Sequence, residues 1–119
     1  MITLKERVFS AIGGLCGDVV YGTPGDFIAP EKIVWRESRN RVFARADGRE
    51  HLAELNYTLD IFCRSPEAAA ELFSRADENM ARAGFRRESA EEMFETDTGI
   101  HHISARYRAL SDADGNTYQ

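Results

Sequence analysis

The sequence predicts an α+β domain: an antiparallel β-sheet of mixed strand lengths, two helices packed on one of its faces, and one long projecting β-hairpin. Three observations carry this. Leu4, Val8, Ile12 and Leu15, and later Ala69, Leu72, Phe73, Ala76 and Met80, recur at helical spacing and form two apolar stripes. Between them Leu55, Tyr57, Leu59, Ile61 and Cys63 alternate with Glu54, Asn56, Thr58 and Asp60, the pattern of a half-buried strand. The strand-like stretches are joined by connections of hairpin length, which favours antiparallel pairing with the helices gathered on one side.

The elements follow in order. Thr3 and Glu6 have the spacing of a capping box, which marks the start of the first helix. Lys5, Glu6 and Arg7 face water, and Gly13-Gly14 weakens the far end, since glycine has the most backbone entropy to lose. The run from Cys16 to Pro30 is broken by glycine and proline and reads as a loop with at most a short extended piece. Its Val19, Val20, Tyr21, Phe27 and Ile28 are expected to cover the core or meet a partner. Lys32 to Ser38 suits a strand with Ile33 and Trp35 on one face, and Asp47-Gly48 is a hairpin turn signal.

From Leu52 to Cys63 the strand spans roughly 40 Å at ~3.3 Å per residue, while a compact chain of this length has a radius of gyration of about 13–14 Å. One end, with the arginine-rich hairpin attached, is therefore expected to project. Ser65 caps the second helix with Pro66 at its first position, and Gly84 followed by Phe85 suits a Schellman ending with Phe85 folded back on Met80. Two or three further strands follow. A single domain over 1–110 and a flexible polar tail over 111–119 complete the expected organisation.

Composition narrows the function. The chain has 119 residues, a formal charge of -5 and a pI near 5.2, which argues against general nucleic-acid binding while leaving room for a local basic patch. Cys16 and Cys63 form neither a disulfide framework nor a zinc half-site and are expected as reduced thiols. The charged start Met1 to Arg7 resembles no signal peptide, and no apolar run is long enough to span a bilayer, so a protein made in the cytosol with no membrane partner is expected.

The stretch from Glu95 to Leu110 holds the residues that most invite a chemical reading. His101 and His102 are adjacent, so in a strand they point to opposite faces and cannot chelate one metal together. His101 joins Ile103, Ala105, Tyr107 and Ala109 on the expected inner face and comes near Cys63 if those strands pair, whereas His102, Arg106 and Arg108 point outward. Asp97-Thr98-Gly99 matches the aspartic-protease triplet in three common residues, but Asp and Gly are what a hairpin turn uses. No nucleophile elbow or phosphate cradle is present, so no catalytic residue, metal or cofactor is expected. A small enzyme or ligand-binding module built on His101 and Asp97 is the remote alternative.

Arg36, Arg39, Arg41, Arg45 and Arg49 crowd one short segment of an acidic protein, with Val42 and Phe43 among them. Three readings stand: a solvated hairpin, a contact arm whose guanidinium groups pair with the carboxylates of a neighbouring copy, or cations turned toward passing DNA. As an oligomer or partner interface, the set is Arg36, Arg39, Arg41, Val42, Phe43, Arg45 and Arg49.

The stretches P-E-K-I-V-W, E-L-N-Y-T-L-D-I-F, S-P-E-A-A-A-E-L-F, M-A-R-A-G-F-R-R and F-E-T-D-T-G-I-H-H-I-S-A-R-Y, taken together from Pro30 to Tyr107, resemble the tail completion family of tailed bacteriophages and prophages, the tail terminator or tail-to-head joining proteins. The resemblance implies an α+β structural protein of the virion tail or neck. It implies a ring, usually hexameric, that caps the tail tube and joins it to the head connector, with DNA passing through the channel. The partners implied are copies of itself, the tail tube protein and the connector proteins. A head-closure or neck protein of the same assembly is the alternative.

Overall fold

The computed structural model describes residues 1–22 and 31–118. Helix α1 (Lys5–Ile12) leads into a short strand β1 (Val19–Tyr21), then β2 (Glu31–Ala46), β3 (Arg49–Cys63), helix α2 (Pro66–Arg82), β4 (Arg86–Glu95), β5 (Ile100–Asp112) and β6 (Thr117–Tyr118). The sheet order is β1-β2-β3-β5-β4, with β6 on β5. Val8 and Ile12 of α1 and Leu72, Ala76 and Met80 of α2 share one core with Ile33, Leu55, Tyr57, Leu59, Ile61, Ile103 and Tyr107 of the sheet. Both helices therefore lie on one face, and among the described residues the other face carries only the small buried apolar cluster of Val34, Phe62 and Ile100.

The α+β class is as expected, but the sheet is mixed because β1 pairs with β2 in parallel, Val19 opposite Ile33 and Tyr21 opposite Trp35. The expectation of antiparallel pairing rested on hairpin connections, and this pair is not a hairpin. Phe27 and Ile28, expected to pack down, lie outside the described residues.

The β2–β3 hairpin sets the shape. Asp47 and Gly48 at its tip have φ of 53° and 74°, the two left-handed positions that a type I′ turn requires. The molecule measures 53 × 24 × 22 Å with a radius of gyration of 15.2 Å, above the compact value, because these strands run its whole length. The helices cover one face of the sheet, while the tip residues reach past Leu52, where pairing with β5 ends.

Helix α2 matches its sequence signals in detail. The Ser65 hydroxyl accepts from the Ala68 amide at 3.1 Å. At the other end the Phe85 amide donates to the Met80 carbonyl at 3.0 Å and the Gly84 amide to that of Ala81 at 3.1 Å, a Schellman ending. Gly84 has φ 97°, and a Cβ there would stand 2.5 Å from the Thr117 Oγ1 atom. Gly84→Ala combines a left-handed backbone with a close approach and is expected to destabilise by about 1–3 kcal/mol. The measurement is a urea midpoint that falls with an unchanged slope.

Two local expectations are corrected. Thr3 does not cap α1: its hydroxyl donates to Glu37 at 2.7 Å, and α1 starts from Leu4 with no side-chain cap. The charge-assisted bond to the Glu37 carboxylate turns the hydroxyl toward β2 and away from the first amides of α1, from which a cap would accept. The second correction concerns the polar tail after Leu110. Strand β5 continues to Asp112, Ser111 is fully buried, and β6 returns to pair with Leu110 and Ser111. The Asp112 carboxylate accepts from the amides of Asp114 and Asn116, both at 2.9 Å, and from the Tyr118 hydroxyl at 2.8 Å, while Arg7 donates to the Gly115 carbonyl at 2.7 Å.

Candidate functional site

The helix-free face of the sheet is where the arginines gather. Simple alternation along β2 would put Arg36 on one face and Arg39 and Arg41 on the other. A bulge between Glu37 and Arg39 adds one residue and reverses the parity, so Arg36 faces Thr58, Arg39 faces Asn56 and Arg41 faces Glu54. Strand β5 places Arg106 and Arg108 across from Thr58 and Asn56, and β4 adds Arg86 beside Arg108. Three alternate cross-strand rows, at Thr58, Asn56 and Glu54, thus carry cations on a single face.

Acids on the same face hold several of them. Asp60 is buried, with Arg36 at 3.5 Å and the His102 Nε2 at 2.8 Å. Burial pushes its carboxyl up, but the hydrogen bonds from His102 and Ser104 and the Arg36 charge outweigh this and leave it below the ordinary value. Glu54 takes Arg108 at 2.9 Å and Arg41 at 3.3 Å, and chiefly the Arg108 hydrogen bond holds its carboxyl low. Arg39 and Arg106 are exposed and, with Arg36, Asn56, Thr58 and Glu88, border a depression of about 360 Å³. The Asn56 amide donates to Glu88 at 3.0 Å across its floor.

The remaining predicted interface residues leave this face. Val42 sits opposite Ala53 on the helix side, half-buried. Phe43 falls at a second bulge and is exposed, with the Arg41 guanidinium 5.9 Å from its ring centre. Arg45 lies 4.0 Å from Glu50, whose carboxylate also accepts from the Ile2 amide at 2.8 Å, and Arg49 begins β3 in an exposed position. The set is thus divided: Arg36, Arg39 and Arg41 form one surface, and Phe43, Arg45 and Arg49 lie at the outer edge and tip.

The histidines occupy opposite faces. His101 pairs with Cys63 in register and lies 4.7 Å from the Phe94 ring on the helix side. His102 is not a free surface group: it stacks on Phe62 at 4.2 Å while bonding Asp60, and only 16% of its side chain is exposed. Asp97 is exposed in the β4–β5 turn, which the Gly99 amide closes on the Glu95 carbonyl at 2.8 Å. Burial pushes the Cys63 thiol up to about 11, so it stands as a protonated, packed group at neutral pH. Among the described residues, no three His, Cys, Asp or Glu side chains converge to hold a metal, and no helix is long and apolar enough to cross a membrane.

Sequence reasoning placed strands at G-F-R-R-E-S and M-F-E-T, which the structure joins as β4, but missed that this strand is exposed along its whole length. Its signal was present: Arg86 to Glu95 contains no alternating apolar face, yet Met93 and Phe94 stand adjacent in it.

No family model and no curated protein matches the chain. Among solved structures it is similar to a chain of the "Virion of native gene transfer agent (GTA) particle", at 11% identity, over 88% of each chain and with a TM-score of 0.50. At that identity the likeness is one of fold, and it spans nearly the whole of both chains: this chain has the α+β fold of a component of a gene transfer agent virion.

Proposed function

We propose that the chain is a structural protein of a phage or prophage virion, a tail terminator that caps the tail tube and joins it to the head connector as a hexameric ring. The observation that carries this reading is the whole-chain fold likeness to a gene transfer agent virion component. The resemblance of the stretches from Pro30 to Tyr107 to the tail completion family supports the finer role. The work is structural, not catalytic. Its partners are further copies of itself, the tail tube protein and the connector proteins, and DNA in the channel is met without sequence selection.

Electron microscopy of the purified protein alone and with assembled tail tubes tests this. Rings, or subunits seated on tube ends, are expected, together with tails of uncontrolled length when the gene is removed. Normal tails in its absence overturn the proposal. A pull-down that retains the connector and not the tube would instead assign the chain to the neck.

A further inference from the structure

Among the described residues the sheet ends in two open edges of opposite character. On one side β1 covers β2 only from Ile33 to Trp35, so among the described residues no strand pairs with the outer side of β2 from Ser38 to Ala46. Beyond Glu37 that stretch contains Arg39, Arg41 and Arg45 and no acid, with Phe43 54% exposed. On the other side β4 has, among the described residues, β5 as its single neighbour and is exposed at every residue. After Arg87 it contains Glu88, Glu91, Glu92 and Glu95 and no cation, with Met93 and Phe94 exposed by 43% and 54%.

We propose that the Ser38–Ala46 edge of β2 takes the β4 edge of a second copy of this chain, arginine against glutamate and Phe43 beside Met93 or Phe94. The inference rests on the ring reading and names its contact. A long open edge with exposed apolar side chains pairs readily with another strand. Two such edges on opposite sides of one sheet make a head-to-tail contact, which closes into a ring when the rotation allows. Pairing β4 with β4 would set glutamates against each other and β2 with β2 arginines, so charge favours the unlike pair.

The two edges also lie at different heights. Strand β4 runs beside Ile100 to Arg108, whereas the free part of β2 begins level with Arg108 and continues toward the tip. Successive copies are then staggered along the strands, as a closed sheet requires. Arg41 is free to turn to the neighbour, because Arg108 continues to hold Glu54.

Sedimentation velocity over a range of concentration and salt tests the contact in three proteins, each checked for folding by circular dichroism: Arg39→Glu with Arg41→Glu, Glu91→Arg with Glu92→Arg, and all four changes together. The wild type is expected to self-associate, less at high salt. Each pair of reversals should weaken association by about tenfold or more, and the fourfold variant should recover it. Unchanged association in either pair, no recovery in the fourfold variant, or a wild type that stays monomeric overturns the edge contact. Tube binding and tail length on gene removal decide the virion role separately, so the two readings fail independently.

Discussion

Tyr57→Ala is expected to destabilise the protein by about 3–5 kcal/mol, the range for truncating a large buried aromatic residue. Tyr57 is fully buried in the middle of β3, with its ring edge-on to Phe85 at 5.4 Å. Its hydroxyl accepts from the Leu4 amide at 2.9 Å and donates to Glu37 at 2.8 Å. One side chain thus ties the start of α1, the β2 bulge and the end of α2. Burial pushes the phenol well above its ordinary value, so it remains a donor at any working pH.

Tyr57→Phe keeps the ring and removes only the hydroxyl, leaving the Leu4 amide and Glu37 without this partner. It is expected to lose about 1–3 kcal/mol. Urea unfolding of both variants separates packing from hydrogen bonding. If Tyr57→Phe unfolds at the wild-type midpoint, the hydroxyl does not anchor the N-terminal segment.

Asp60→Ala is expected to lower stability by about 2–4 kcal/mol at neutral pH, since it strips the acceptor from His102 and the counter-charge from Arg36. The lower part of the range reflects the partial exposure of Arg36, which water can solvate. The folded-state carboxyl titrates below its unfolded value. Its contribution is therefore complete above the unfolded carboxylate pKa of about 3.9 and is lost as pH falls through the lower folded value. The gap between wild type and Asp60→Ala should stay constant from pH 7 to about 5 and close below about 4. A gap that stays open in acid would show that lost packing, not the charge, accounts for the effect.

Local signals in the sequence were obeyed where their physics is local. The Ser65 cap, the Schellman ending at Gly84 and the Asp47-Gly48 turn each depend on residues within one turn of chain, and each forms as written. The alternation through β5 correctly put His101 and His102 on opposite faces. Local signals failed where a distant group offered a better partner. Thr3 left its capping position for Glu37, and the polar segment after Leu110 was held by Asp112 and Arg7.

The candidate surface was half legible. The arginine cluster was plain in the sequence, but its division was not, because one bulge at Ser38 decides which arginines share a face. Strand β4 was expected as a strand but not as an exposed edge, since an edge is a property of sheet order and no window of sequence records it.

By itself the sequence determined the α+β class, the two helices, the long hairpin and its turn, because periodicity and turn chemistry act over a few residues. Only the tertiary structure decided the parallel placement of β1, the face on which Arg36, Arg39 and Arg41 meet, and the exposure of β4 opposite an arginine-rich edge. Those features depend on strand order and register, which are settled by contacts between residues far apart in the chain.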